Sequence, residues 1–425
     1  MELRVLITAE HASLKFGGEA ALPLHYFRIY RQRNMAAWLV VHERTREELQ
    51  ALFPRDHDRI LFIADTAVHR LLWRLSRLMP DRLSTFTFGY LLRCLTQLRQ
   101  RRVIRRLVAQ QDISVIHQPM PVSPKEPSMI YGMGVPVIIG PMNGGIDYPP
   151  AFRKAQRRTE RAALWIGRRL ANTMNGLIPG KRQAAALLVA NERTRAALPN
   201  GTARRILMLV ENAVDLNLWK SPATLNGRST SGVARFVFLG RLVDWKCVDL
   251  LLLAFKQAST QEPMNLAIIG DGVERQRLEQ MAANLGLMGD KAGQPATVSF
   301  LGWLPQTECA VRLQQSDVLV LPSLAECGGA VVLEAMAMEI PVIAAAWGGP
   351  ADYLDPSCGI LVEPASRESF IEGLAAALAR LANNPTERRS MGRAGRLKVI
   401  REFDWEAKAD RMVEIYKDAI KANGK

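Results

Sequence analysis

Hydrophobic and polar positions follow two rhythms along this chain. Short apolar runs are bounded by Gly, Pro or Asn, and longer stretches repeat apolar residues three and four apart. The first rhythm is that of strands buried on both faces, the second that of helices laid over them. Strands are predicted at Arg4–Ala9, Ala37–His42, Arg59–Ala64, Ile113–His117, Pro136–Gly140, Leu177–Pro179 and Ile206–Val210. After the polar stretch Ser221–Gly232 (SPATLNGRSTSG), the pattern restarts with strands at Arg235–Leu239, Asn265–Ile269, Val298–Leu301, Val318–Leu321 and Val342–Ala346. Helical periods stand between them, among them His25–Arg33, Val248–Gln257, Gln276–Leu285 and Ala330–Met338, and Trp405–Ala422 closes the chain. Strand-helix alternation on both sides of a Ser/Thr/Gly-rich linker predicts an α/β chain of two Rossmann-like domains facing each other across a cleft.

The densest chemistry lies in Val318–Pro350, VLVLPSLAECGGAVVLEAMAMEIPVIAAAWGGP. A strand stops at Pro322, a loop brings Glu326 and Cys327-Gly328-Gly329, and a helix opening at Ala330 and Val331 carries Glu334. Helix N-terminal amides favour an anion and glycines let it approach, so a phosphate fits at Gly328–Val331. The two carboxylates flank that seat and are placed to accept hydrogen bonds from hydroxyls at opposite ends of a phosphate-centred ligand. Taken alone, the pair reads first as a helix-entry carboxylate near the dipole and a solvated helix residue. A second loop, Gly240-Arg241-Leu242-Val243-Asp244-Trp245-Lys246, follows a strand and precedes a helix, and its two cations suit a diphosphate.

Together, Gly240-Arg241-x4-Lys246 followed by Glu326-x7-Glu334 resembles the donor-binding motif of family 4 retaining glycosyltransferases with the GT-B fold. The resemblance covers nearly the whole chain and is sharpest from Gly240 to Pro364. It implies GT-B architecture, with residues 1–215 as an acceptor-side domain, 216–403 as a nucleotide-sugar domain, and 404–425 as a helix crossing back to the first domain. It implies a catalytic set of Glu326, Arg241, Lys246 and His117, the last beside the donor sugar. Glu334 is expected to hold the ribose, and Gly17, Gly18, Gly240, Cys327, Gly328, Gly329, Ala330 and Val331 to line the donor phosphates. The Gly302-Trp303-Leu304 loop flanks the base in such enzymes. Two positions depart from the pattern: Gly328 stands where an aromatic residue is usual, and Glu339 where a glycine is usual.

The implied reaction moves a sugar from a UDP- or GDP-sugar to an acceptor with retention, in polysaccharide, lipopolysaccharide or glycolipid synthesis. No cofactor is expected. No metal is expected either, since Asp56-x-Asp58 sits in a charged loop and the five cysteines have no ligand spacing. A nonhydrolysing sugar-nucleotide epimerase shares the two-domain plan but does not need a basic first half. Gly270-x-Gly272 lacks the third glycine of a dinucleotide fingerprint. Asn143, Gly144 and Gly145 are candidates for an acceptor loop.

Charge adds a partner. Residues 1–215 hold 33 Lys and Arg against 17 Asp and Glu, leaving 23 against 24 in the rest, so the first half is +16 and the second −1. Ala67–Gln110 alone carries Arg70, Arg74, Arg77, Arg82 and six further arginines against Asp81, interleaved with Trp73 and leucines, and Arg153–Arg169 repeats the mixture around Trp165. Basic and apolar residues at helical spacing fit a helix lying on an anionic membrane, a surface for a phosphorylated acceptor, or helices that cover the sheet and leave their arginines in water. A nucleic-acid-binding protein explains the charge but not the paired carboxylates, so no nucleic-acid partner is expected. With no 20-residue apolar span and no signal-peptide layout at the start, the expected location is the cytoplasmic face of the membrane, as a peripheral protein.

Overall fold

The structure is a computed structural model and describes residues 2–16, 18–77, 89–155, 158–202, 205–221, 233–260, 263–288 and 296–424. The chain forms two compact units. One comprises Met1–Gly145, Arg157–Glu211 and Lys408–Lys425, the other Ile146–Gln156 and Asn212–Ala407. Beyond Ser221 the expected linker lies outside the described residues, as do Gly17 and the Arg82 stretch.

The first unit is built on seven parallel strands: β1 Arg4–Thr8, β2 Ala36–His42, β3 Ile60–Ile63, β4 Val115–Gln118, β5 Val137–Met142, β6 Ala186–Val189 and β7 Ile206–Met208, in the order β3-β2-β1-β4-β5-β6-β7. Leu6 lies opposite Trp38 and Ile116, and one layer of the core joins Leu6, Val40, Ile116, Ile139 and Leu187. Helices cover these strands on both faces, which is why the runs read as continuously apolar. One predicted strand is corrected: Leu177 ends the helix Arg158–Leu177, and the strand is Ala186–Val189. The run AAALLVA is short enough to read as either element, and parallel pairing with Ile138, Ile139 and Leu207 decides it.

The second unit has six parallel strands: β8 Ala234–Leu239, β9 Met264–Ile269, β10 Ala296–Gly302, β11 Val318–Leu321, β12 Val342–Ala345 and β13 Gly359–Val362, in the order β10-β9-β8-β11-β12-β13. In each sheet the strand order reverses once, between β1 and β4 and between β8 and β11. Such reversals open a crevice at the carboxyl ends of the strands, where open α/β sheets bind ligands.

The chain leaves each unit and returns. Ile146–Gln156 groups with the second unit, where the Asp147 carbonyl accepts from the Trp347 indole N–H at 2.8 Å and Phe152 stands edge-on to Phe370. The last helix, Trp405–Asn423, belongs to the first unit from Lys408 onward. There Tyr416 is fully buried among Tyr26, Tyr30 and His117, and the Lys408 ammonium donates to the carbonyls of Val210 and Glu211.

Candidate functional site

The reversal between β8 and β11 brings together the two loops singled out by sequence. After β8 the chain runs through Gly240 and Arg241 into a tight turn, Asp244–Lys246, and Cys247 takes a left-handed conformation that starts the helix Val248–Ala258. After β11 it passes Pro322 and reaches Glu326 and Gly329, whose left-handed φ of 85° caps the helix Ala330–Ala337. The Leu324 amide donates to the Trp245 carbonyl at 3.0 Å, tying one loop to the other. Across that junction the Lys246 ammonium forms an ion pair with the Glu326 carboxylate, both side chains mostly buried.

Around this pair the other expected residues sort by environment. Arg241 is exposed, its guanidinium 5.9 Å from the Trp245 ring centre, and no anion holds it among the described residues. The first-turn amides of the helix Ala330–Ala337 lack acceptors further back in the helix, and Val332 donates to the Gly329 carbonyl at 2.9 Å. Cys327 and Ala330 are half-buried, and Gly328 and Val331 are buried. Glu334 is half-buried and has no hydrogen bond or ion pair among the described residues. Burial holds its carboxyl up at about 8, because protein atoms replace the water that would solvate the charge. Trp303, after β10, is 72% exposed.

Two glycine pairs without an assigned role in the sequence hold these loops. A Cβ on Gly270 would lie 1.9 Å from the Gly240 carbonyl oxygen, so Gly270-x-Gly272 serves backbone contact with the Arg241 loop rather than a dinucleotide. The amide of Gly349 donates to the Glu326 carbonyl at 2.8 Å, and a Cβ there would meet the Gly328 oxygen at 2.0 Å. Only the WGGP run at the end of β12 hinted at this second pair.

His117 lies in the first unit with no exposed surface. Its Nε2 is 2.7 Å from the Gly140 carbonyl and its Nδ1 2.7 Å from the Tyr416 hydroxyl, so one nitrogen donates, the other accepts, and neither remains for a ligand. Burial pulls its pKa down to about 4, keeping the ring neutral. Gly18 opens the helix Gly18–Gln32, and a Cβ there would meet nothing within 4 Å. The acceptor-loop candidates are engaged inside the first unit: Asn143 donates to Glu211 at 2.7 Å and the Gly144 amide to Thr194 at 3.1 Å.

His42, Asp65 and His69 gather three potential metal ligands within 4.8 Å of one another. Each is already used by the protein. His42 Nδ1 accepts from the Arg44 amide, His69 Nδ1 from the Thr66 amide, and Asp65 pairs with the Arg44 guanidinium at 3.2 Å. Asp56 pairs with Arg31 at 2.7 Å.

Known proteins resemble this chain in part of its sequence and in its fold. Residues 228–398 match the family described as glycosyl transferases group 1. A GDP-mannose-dependent monoacylated alpha-(1-6)-phosphatidylinositol monomannoside mannosyltransferase of Corynebacterium glutamicum is 31% identical over 183 residues, 41% of this chain and 45% of that one. A D-inositol 3-phosphate glycosyltransferase of Segniliparus rotundus is 29% identical over 223 residues, 50% of this chain and 47% of that one. The chain thus spans about half the length of these curated relatives. Among solved structures, sucrose-phosphate synthase from Thermosynechococcus elongatus superposes with a TM-score of 0.66 at 20% identity, covering 99% of this chain and 100% of that one. The UDP complex of Anabaena Alr3699/HepE does so at 0.64 and 16% identity, covering 98% and 100%. The fold is that of the GT-B glycosyltransferases, and residues 228–398 of the chain are similar to the group 1 glycosyl transferases.

Proposed function

We propose that this protein transfers a hexosyl group from a nucleoside-diphosphate sugar to an acceptor, with retention of anomeric configuration. The observation that carries the reading is the Lys246–Glu326 pair at the β8/β11 reversal, with Arg241, Glu334 and a helix N-terminus around it. In the reaction, Lys246 and Arg241 neutralise the departing diphosphate, and the amides from Gly328 to Val331 hold its phosphates. Charge that develops on a leaving group is stabilised best by donors already fixed in place, and several kcal/mol of the barrier is the usual scale. Glu326 holds Lys246 in position and, once the diphosphate draws that ammonium away, is free to face the donor sugar. Glu334 takes the ribose hydroxyls. His117 is left to packing, since both its ring nitrogens are occupied.

The donor base is uracil or guanine. One relative is named for GDP-mannose and one similar structure holds UDP, which supports both without choosing between them. Purified protein incubated with UDP- and GDP-sugars should hydrolyse one class slowly without acceptor. If no nucleoside diphosphate binds and no donor is consumed, the reading fails.

The acceptor lies at an anionic membrane surface, lipid-linked or saccharide in nature, in cell-surface polysaccharide, lipopolysaccharide or glycolipid synthesis. No helix among the described residues is long and apolar enough to cross a membrane. On the helix Ala67–Ser76, however, Val68, Leu71 and Leu75 form an exposed stripe, with Trp73 also half out of the protein and Arg70, Arg74 and Arg77 alongside. An exposed apolar stripe flanked by arginines fits a surface where acyl chains meet anionic headgroups, and supports a peripheral place on the cytoplasmic face.

A further inference from the structure

Glu326 stands at the head of a loop that cannot fix its own shape. Two of the three residues after it, Gly328 and Gly329, are glycines, which leave the backbone more freedom than any other residue. The loop is held instead by its neighbours in the second unit. The Lys246 ammonium pairs with the Glu326 carboxylate, and the run Trp347-Gly348-Gly349 after β12 lies against the Glu326 backbone. Gly349 donates its amide to the Glu326 carbonyl at 2.8 Å, and a Cβ on Gly348, whose φ is +70°, would come within 2.2 Å of the same oxygen.

A third neighbour has no part in the donor motifs. The segment Ile146–Gln156 follows β5 in the chain but groups with the second unit, and its first two residues meet this glycine run. Ile146 Cδ1 lies 2.6 Å from the same Cβ position on Gly348, so the Ile146 methyl, Gly348 and the Glu326 carbonyl come together at one point. One residue on, the Asp147 carbonyl accepts from the Trp347 indole N–H at 2.8 Å. Beyond the short helical turn that opens at Pro150, Phe152 stands edge-on to Phe370, ring centres 6.2 Å apart, and Phe370 is fully buried on the helix Arg367–Asn383. The segment is therefore anchored in the core of the second unit as well as on the glycine run.

We propose that Ile146 and Trp347 are positioning residues for Glu326. Both act on its backbone, Ile146 by packing at Gly348 and Trp347 by clamping Asp147, and neither is asked to touch substrate. The glycine run can then transmit their hold, because an amide and a carbonyl in direct contact leave no slack between Gly349 and Glu326. Reacting groups work only when supporting residues keep them within a fraction of an ångström of their working place, so loosening this support should slow the reaction more than it weakens donor binding. The proposal rests on the glycosyltransferase reading, in which Glu326 faces the donor sugar, and it adds two residues from outside that reading's motifs.

The test uses the full chain and three variants. Trp347→Phe keeps a ring and removes the N–H, Ile146→Ala removes the contact at Gly348, and Ile146→Val keeps most of it. Hydrogen exchange read by mass spectrometry without ligand should be faster over residues 326–334 in Trp347→Phe and Ile146→Ala, and at the wild-type level over β8 and β12. With the UDP- or GDP-sugar that wild type hydrolyses, turnover at saturating donor should fall about tenfold in both, less than the roughly 100-fold that a 1 Å misplacement costs. The donor KM should stay as in wild type, and Ile146→Val should restore most of the turnover that Ile146→Ala loses. In a Glu326→Gln background, Trp347→Phe should cost nothing further, because a residue acting through Glu326 then has nothing left to position. A purely structural role would lower stability and leave turnover per folded molecule unchanged. Unchanged exchange over residues 326–334, an equal loss from Trp347→Phe in both backgrounds, or a loss confined to KM overturns the proposal. The exchange arm needs no substrate, so faster exchange in the variants with no donor consumed by wild type supports the hold on Glu326 and sinks the glycosyltransferase reading alone.

Discussion

Glu334→Gln should make the protein more stable and a poorer binder of nucleotide. Burial holds the Glu334 carboxyl at about 8 against an ordinary value of 4.5. Between those values the folded chain keeps a proton that the unfolded chain releases, so stability falls as pH rises through the window and levels off above 8. Converted directly, that displacement sets a ceiling of about 5 kcal/mol. Because the side chain is only half-buried, about 2 kcal/mol is the expected size after solvent screening. Glutamine keeps the shape and cannot ionise. Urea denaturation should therefore give equal stabilities near pH 4.5 and a variant more stable by about 2 kcal/mol near pH 8.5, with the same m-value. Ribose hydroxyls donate best to the ionised carboxylate, so affinity of the wild type for UDP or GDP should rise from pH 6 to 8. The variant should bind about tenfold more weakly at pH 8.5 with no such rise. A stability difference independent of pH, or a wild-type affinity flat across that range, would refute the reasoning.

Further outcomes follow from the same arrangement. Glu326→Gln and Lys246→Ala should each lower kcat at saturating donor by about 100-fold, the scale of one fixed contact to developing charge; near-normal turnover in either would put the reaction elsewhere. Gly349→Ala sets a methyl against two carbonyl oxygens, at 2.0 Å from Gly328 and 2.5 Å from Cys327. A loss of about 1–3 kcal/mol in urea denaturation is expected, and unchanged stability would show that the loop has slack. The protein should sediment with vesicles containing anionic lipid, release as salt rises, and bind less after Leu71→Asp. Each basic residue at such a surface contributes about 1 kcal/mol, and equal partitioning onto neutral vesicles would defeat the membrane assignment.

Strand positions, helix periods and the composition of the two loops were set by local sequence. Buried parallel strands must be apolar on both faces, and turns that approach a helix N-terminus must be small, so those features are written residue by residue. Arg241, Lys246, Glu326 and Glu334 were legible because their spacing follows a family pattern, and structure adds that Lys246 and Glu326 are paired. What tertiary structure alone decided is which loops are neighbours, because strand order is set by pairing between segments far apart in the chain. Thus Lys246 and Glu326, 80 positions apart, meet only because β8 lies beside β11. For the same reason His117, at the carboxyl end of its strand, looked available to a ligand until the returning C-terminal helix supplied Tyr416 to its second nitrogen. Glu339 shows both levels at once. Its φ of +59° explains why a glycine is usual there, and a carboxylate is tolerated because it accepts from Ser221 at 2.8 Å and lies 3.8 Å from Arg396, contacts made by residues more than 50 positions away.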